Sequence, residues 1–431
     1  MSSKPKVIAF LRMYDRLYSV FKPILENSDY SILTDCDLSS LDLPSDRVYS
    51  VKDYVDEKAF REKGIHEGNS RIDGVMLYLM RGLAGLPYAN QFNEAAIGRL
   101  GSGVLEGMQV LFRYFYTMEQ LVDKFDIRCL ITSPTNIARS QAVIQVAKNH
   151  GIPTVHLPHG SFADMDNFWP EPSDYFFKAD DICLRTFERT QVSSAKPIVT
   201  GVPFNVSLVQ PDEIAQEKRR LEARQALSLE PSENVIAFAM GGYESLNAAL
   251  PAAYYLSVHS MQALIKAVHA RNLSGKKTTL IIRQHPTMAK HEDAAAVESI
   301  ARDLGMAEHV RVYGGDKEAV FDASNLFVVS SQKSSVIFDA FARAMPTLCF
   351  NIAPKLPHVF VDTELNKYVE VASSLAEIEV SVNRLLDDSA RSAELGLRAY
   401  NFLRTNRAFT GERATDEIVK NILAISGKQG E

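Results

Sequence analysis

One rhythm runs through this chain twice and constrains its fold more than any other feature. A short β-branched or aromatic run is followed by a turn residue and then by a longer stretch of helical period, the signature of parallel α/β architecture. In the first half, Lys6 to Arg12, Tyr30 to Thr34, Cys129 to Ser133, PTVHLPHG, DYFFKA and PIVTG read as strands. A mostly helical stretch from about Asp73 to Phe125 interrupts them, and the helix of ARSQAVIQVAKNHG stops at Gly151. In the second half, NVIAFAMGG, KTTLIIRQHP, HVRVYGG, NLFVVSS and PTLCF give five more strands alternating with helices.

The expected fold is α/β, with two tandem Rossmann-like doubly wound domains facing a cleft. Residues 1–203 form the first domain, and a charged, helical linker bounded by Pro211 and Pro231 spans 204–233. Residues 234–407 form the second domain, and 408–431 a terminal helix that packs back on the first. The charge run from Glu217 to Arg224 reads as a solvated helix face. A length of 431 residues suits two such units.

Composition excludes several classes. Hydrophobic residues at 46% and charged residues at 23% rule out a disordered or low-complexity chain. With 47 Lys plus Arg against 53 Asp plus Glu, the net charge of -6 gives no footprint for nucleic acid. The four cysteines, Cys36, Cys129, Cys183 and Cys349, are too scattered for a metal module or a disulfide framework, so reduced cytosolic thiols are expected. The N-terminus has no signal-peptide pattern, because Arg12, Asp15 and Arg16 follow the first apolar run at once. No run of 18 apolar residues occurs. The expected location is cytoplasmic, with peripheral contact at the inner membrane left open.

Open α/β sheets bind ligands at the carboxyl ends of their strands, so the chemistry is sought there. Strand LIIRQHP delivers Arg283, His285 and Pro286, a cation and an imidazole where an anionic ligand would be held. In NLFVVSSQKSSVIFDAF, a buried strand runs into Ser331, Gln332 and Lys333, and Ser334 and Ser335 open a helix. Its hydroxyls, amide groups and Lys333 form a phosphate cradle, and Asp339, one turn on, can receive ribose hydroxyls. Gly241 and Gly242 permit close backbone approach after the first strand of this domain. Neither a GxGxxG fingerprint with its acidic partner nor a GxxxxGK[ST] loop is present, which argues against a nicotinamide dehydrogenase and a nucleoside triphosphatase.

In the first domain, PTVHLPHG places His159 at a strand end as a base or phosphate polariser, while His156 alternates with it as a core residue. The following acidic and aromatic loop, SFADMDNFWPEPSD, offers Asp164 and Asp166, as a metal-holding pair or, better, as nucleophile or base. Neither a metal nor a cofactor is assigned. His66 and Glu67, before Gly68 in GIHEGNSRIDG, read as part of a non-periodic loop capping the cleft, with Glu67 a further catalytic candidate.

These motifs resemble those of the two-Rossmann GT-B glycosyltransferases of bacterial surface-polysaccharide assembly. The features that carry the resemblance are PTVHLPHG, VTGVPFN, RQHP and SSQKSSVIFDAFARAMPTL, over roughly residues 128–350. The HP dipeptide followed by a serine pair is similar to that of bacterial sialyltransferases and Kdo transferases. There the two motifs hold cytidine monophosphate, a role that would fall here on His285, Pro286, Ser334 and Ser335. The HG and SSV-FD features also resemble teichoic-acid transferases that use CDP-glycerol, whose HG histidine is catalytic, which implies His159. Those enzymes show Asp and Tyr ahead of the serine pair, where this chain has Gln332 and Lys333. Sialyltransferases carry an acidic-acidic-glycine motif, where this chain has His66-Glu67-Gly68.

The resemblance therefore implies a glycosyltransferase. It would move a sugar from a nucleotide-activated donor, best a CMP-linked acidic sugar such as CMP-Kdo, to a bacterial glycan or glycolipid acceptor in lipopolysaccharide or capsule synthesis. The rival readings are a CDP-polyol phosphotransferase of teichoic type, a UDP-sugar 2-epimerase and a non-catalytic nucleotide-binding scaffold.

Overall fold

The computed structural model describes residues 4–13, 15–84, 94–133, 137–158, 171–178, 194–201, 208–209, 211–239, 251–283, 293–329, 336–350, 364–405 and 411–427. The chain divides into two compact units, each built on one parallel sheet.

The first unit holds β1 (Lys6–Leu11), β2 (Ser31–Thr34), β3 (Val48–Ser50), β4 (Asp126–Thr132), β5 (Thr154–His156), β6 (Tyr175–Lys178) and β7 (Lys196–Val199). They pair in the order β3-β2-β1-β4-β5-β6-β7, all parallel. A parallel sheet must be covered on both faces, so its strands are apolar on both. β1 shows this by alternation. Ile8 and Phe10 pack with α1 (Phe21–Glu26) and with Ile418, Ile422 and Ile425 of the closing helix α12 (Gly411–Gly427). Val7, Ala9 and Leu11 pack on the other face with Met118 and Leu121 of α3 (Glu94–Lys124) and with Val143 and Ile144 of α4 (Ala138–Asn149).

α3 also packs against the long helix α2 (Glu57–Ala84). Here the structure departs from expectation, because GIHEGNSRIDG is helix rather than loop and the helical stretch begins well before Asp73. The glycines are there for contact. A Cβ on Gly64 would meet the Gln109 carbonyl oxygen at 2.6 Å and the Arg113 amide nitrogen at 2.8 Å, and one on Gly68 would meet Gln109 Cγ at 2.7 Å. They let two helix backbones approach, at a cost in helix propensity.

The second unit holds β8 (Asn234–Ala239), β9 (Thr278–Arg283), β10 (Val310–Tyr313), β11 (Leu326–Val329), β12 (Thr347–Phe350) and β13 (Glu370–Ala372), in the order β10-β9-β8-β11-β12-β13. Its helices are α5 (Glu213–Ala226), α6 (Pro251–Leu273), α7 (Asp293–Asp303), α8 (Lys317–Ala323), α9 (Ile337–Phe341), α10 (Leu375–Asp387) and α11 (Ser389–Thr405). One core joins Ile236, Leu280, Ile282, Leu326 and Val328 of the sheet to Leu264 and Val268 of α6 and Ile378 and Val382 of α10.

In α5, Glu217, Lys218 and Glu222 are exposed, as expected of a solvated charge run. Arg224 is instead buried, donating to the carbonyl of Ala323 at 3.0 Å, to Asn325 Oδ1 at 2.7 Å and to the carbonyl of Pro231. Among the described residues no helix is long and apolar enough to cross a membrane.

Candidate functional site

In a doubly wound sheet the order reverses at one point, and the crevice outside the strand ends there is where ligands bind. In the second unit this point lies between β8 and β11. The last residues of three neighbouring strands stand in one register row, with Ala239 of β8 paired to Arg283 of β9 on one side and to Val329 of β11 on the other. Strands lie about 4.8 Å apart, so Arg283 and Val329 are roughly 10 Å apart across Ala239. The segments that leave this row are those that carry the motifs. Gly241 and Gly242 follow β8, His285 and Pro286 follow β9, and Ser331, Gln332, Lys333, Ser334 and Ser335 follow β11; all of these lie outside the described residues.

Arg283 closes its strand half-buried, and its Nε is buried without a hydrogen-bond partner. A desolvated guanidinium donor left open at a strand end is what an oxyanion satisfies. Asp339 sits in α9, where its Oδ1 accepts from Lys317 Nζ at 3.0 Å and its carbonyl accepts from Arg343 Nη1 at 3.1 Å. One carboxylate oxygen is thus already engaged by α8. Helix α9 begins at Ile337, behind an N-cap position occupied by Val336, not at the serine pair. Its five residues make little more than one turn, so its dipole is that of a few peptide groups.

In the first unit β5 ends at His156, fully buried as a core residue. Its ring stacks on Phe176 of β6 at 4.3 Å, and its Nδ1 lies 2.7 Å from Glu171 Oε2. The other carboxylate oxygen of Glu171 accepts from the Ser173 amide at 3.0 Å and its hydroxyl at 2.7 Å. Burial pushes the Glu171 carboxyl up, but the facing imidazole and the Ser173 donors outweigh it and hold the carboxyl below its ordinary range. His159, Asp164 and Asp166 belong to the segment between these two partners and lie outside the described residues. The segment is therefore tied at both ends by one buried hydrogen bond, a contact between residues 156 and 171 that no periodicity announces.

Glu67 lies on α2, paired with Arg71 Nε at 3.7 Å one turn along. It is not in a loop, because α2 runs through it. Among the described residues no group of three or more His, Cys, Asp or Glu side chains is placed to hold a metal ion. Cys129 and Cys349 are buried and their thiols are pushed far up by desolvation, so neither offers a thiolate.

No protein-family model matches the sequence, and no curated protein matches it. Solved structures do. The chain is similar to a glycosyltransferase from Rickettsia africae, with a TM-score of 0.55 at 10% identity over 98% of this chain and 99% of that one. It is similar to HepE of Anabaena, solved with UDP and glucose, with a TM-score of 0.56 at 11% identity over 97% of this chain and 100% of that one.

The fold is GT-B. The same GT-B likeness extends to the UDP-GlcNAc 2-epimerase of Methanocaldococcus jannaschii, solved with UDP-GlcNAc and UDP, with a TM-score of 0.51 at 12% identity over 97% of this chain and 99% of that one. At such identities the likeness fixes the GT-B fold and leaves the reaction to be argued from the site.

Proposed function

We propose that this chain is a nucleotide-sugar glycosyltransferase in which the second unit grips the nucleotide and the first presents the acceptor. The observation that carries the reading is the register row Ala239, Arg283 and Val329 at the sheet's switch point. The glycine pair, the His285-Pro286 dipeptide and the Ser331-to-Ser335 segment follow these adjacent strands in the sequence, and the buried open donor of Arg283 stands in the row itself.

In this mechanism an acceptor hydroxyl attacks the anomeric carbon, the bond from that carbon to the donor phosphate breaks, and the nucleotide leaves with the electron pair. His159, or Asp164, Asp166 or Glu67, takes the hydroxyl proton. The leaving phosphate gains negative charge, so Arg283, His285, Lys333 and the hydroxyls of Ser334 and Ser335 act most strongly in the transition state. Side-chain cations carry this charge, with no metal ion assigned.

The finer reading is a CMP-linked acidic sugar, such as CMP-Kdo, transferred to a glycan or lipid-linked acceptor at the cytoplasmic face of the inner membrane. It rests on the HP dipeptide and the serine pair. A second reading, a nucleotide-sugar 2-epimerase, is favoured by the likeness to the archaeal epimerase. Incubation of the protein with donor, with and without acceptor, separates the two. Nucleotide release that requires acceptor supports transfer, whereas an epimeric sugar nucleotide formed from donor alone contradicts it.

A further inference from the structure

The first unit has a switch point of its own, between β1 and β4, and the residues around it share one unmet chemistry. On the β1 side, Arg12 follows the strand in the left-handed conformation, with φ 63°. A residue with a Cβ rarely adopts it, and strain of this kind collects at ligand sites. Asp35 holds it there, its Oδ1 accepting from the Arg12 amide at 2.8 Å while its Oδ2 lies 3.6 Å from Nη1. The Nε of the same guanidinium is buried and has no hydrogen-bond partner.

On the β4 side, Thr132 ends the strand and Ser133 follows. Both are fully buried, and so is Ser140 in the first turn of α4; none of the three hydroxyls has a hydrogen-bond partner. Buried hydroxyls are nearly always satisfied, so two open ones at a strand end and a third in the helix that follows require an explanation. Register gives their direction. Thr132 pairs with Leu11 and so shares its face, the one on which α4 packs Val143 and Ile144. Ser140 lies three and four residues before those two and therefore on the same sheet-facing stripe. The Thr132 and Ser140 hydroxyls thus converge from strand and helix on the crevice at the start of α4.

That helix start is itself incomplete. Its N-cap residue is Ile137, which has no side-chain acceptor for the first-turn amides, and the first turn has no acidic residue. It carries half-buried Arg139 instead, although the positive end of a helix disfavours a cation. Two guanidinium groups, two converging hydroxyls and an uncapped helix end supply more donors than the two oxygens of a carboxylate accept.

We infer that the crevice between Arg12 and the first turn of α4 binds a phosphate ester. The site belongs to the first unit alone and stands whether or not the second unit holds a nucleotide.

The test is calorimetric titration of the full chain with glucose 1-phosphate, which represents a sugar-borne phosphate, and with geranyl phosphate, which represents a lipid-borne one. Arg12→Gly removes the guanidinium and relieves the positive φ, so the free protein should keep or raise its Tm while affinity falls at least about tenfold. Arg139→Ala should weaken binding by a similar factor at unchanged Tm. If Arg12→Gly lowers the Tm of the free protein, Arg139→Ala and Ser140→Ala decide, loss of binding supporting the site. Wild-type affinity in the variants, or no binding of either phosphate to the wild type, overturns it. Nucleotide binding measured alongside reports on the second unit separately.

Discussion

Glu171 holds His156 through a hydrogen bond of 2.7 Å inside the first unit, with both side chains buried and the imidazole stacked on Phe176. His156 and Glu171 flank, in sequence, the segment that carries His159, Asp164 and Asp166. Removing one partner breaks this buried, charge-assisted hydrogen bond. Glu171→Ala should therefore cost about 3–5 kcal/mol in denaturant unfolding.

The same pair has a pH signature. The Glu171 carboxyl is held below its ordinary range, so its contribution is fully present above the unfolded glutamate value of about 4.3 and is lost as pH falls through the lower folded value. Wild-type stability should fall on the acid side of that value, and Glu171→Gln should flatten the fall. Parallel acid limbs in the two proteins would contradict the assignment.

Glycines in one helix should respond in opposite directions. Gly64→Ala on α2 forces a Cβ against the Gln109 carbonyl and the Arg113 amide of α3, and should destabilise by about 1–3 kcal/mol. Gly74→Ala faces open space and should stabilise by about 0.5–1 kcal/mol through helix propensity. Thermal unfolding of the two variants checks both signs.

At the proposed nucleotide site, Arg283→Ala, His285→Ala and Ser335→Ala should each lower turnover at least about tenfold, a transition-state loss of roughly 1.4 kcal/mol. Steady-state kinetics on variants with wild-type far-UV circular dichroism checks this. Unchanged turnover in all three would remove the proposed phosphate contacts.

The sequence makes the sheets legible because runs such as Ile236 to Phe238, Leu280 to Ile282 and Leu326 to Val329 are buried on both faces and read as continuous apolar strands. The short edge strand β3, whose residues are only half-buried, and β13, with a single fully buried residue, leave no such run. Gly64 and Gly68 misled the reading of α2, since a glycine serving a distant backbone looks locally like a helix breaker. Arg224 was hidden in a charge run because its partners, Ala323 and Asn325, are a hundred residues away in sequence. The strand-end motifs of the second unit stand out by composition. Glu171, Arg12, Thr132 and Ser140 do not, because their roles arise from register and burial and their residue types are ordinary at such positions.

The most direct test of the account is the thermal shift of the wild type and of Ser335→Ala with CMP, CDP, UDP and GDP. A ligand that binds only the native state raises Tm by mass action. The cytidine nucleotides should raise the wild-type Tm most, and Ser335→Ala should lose the rise. A larger shift with UDP would replace the cytidine donor by a uridine one, and no shift with any nucleotide would contradict the proposed function.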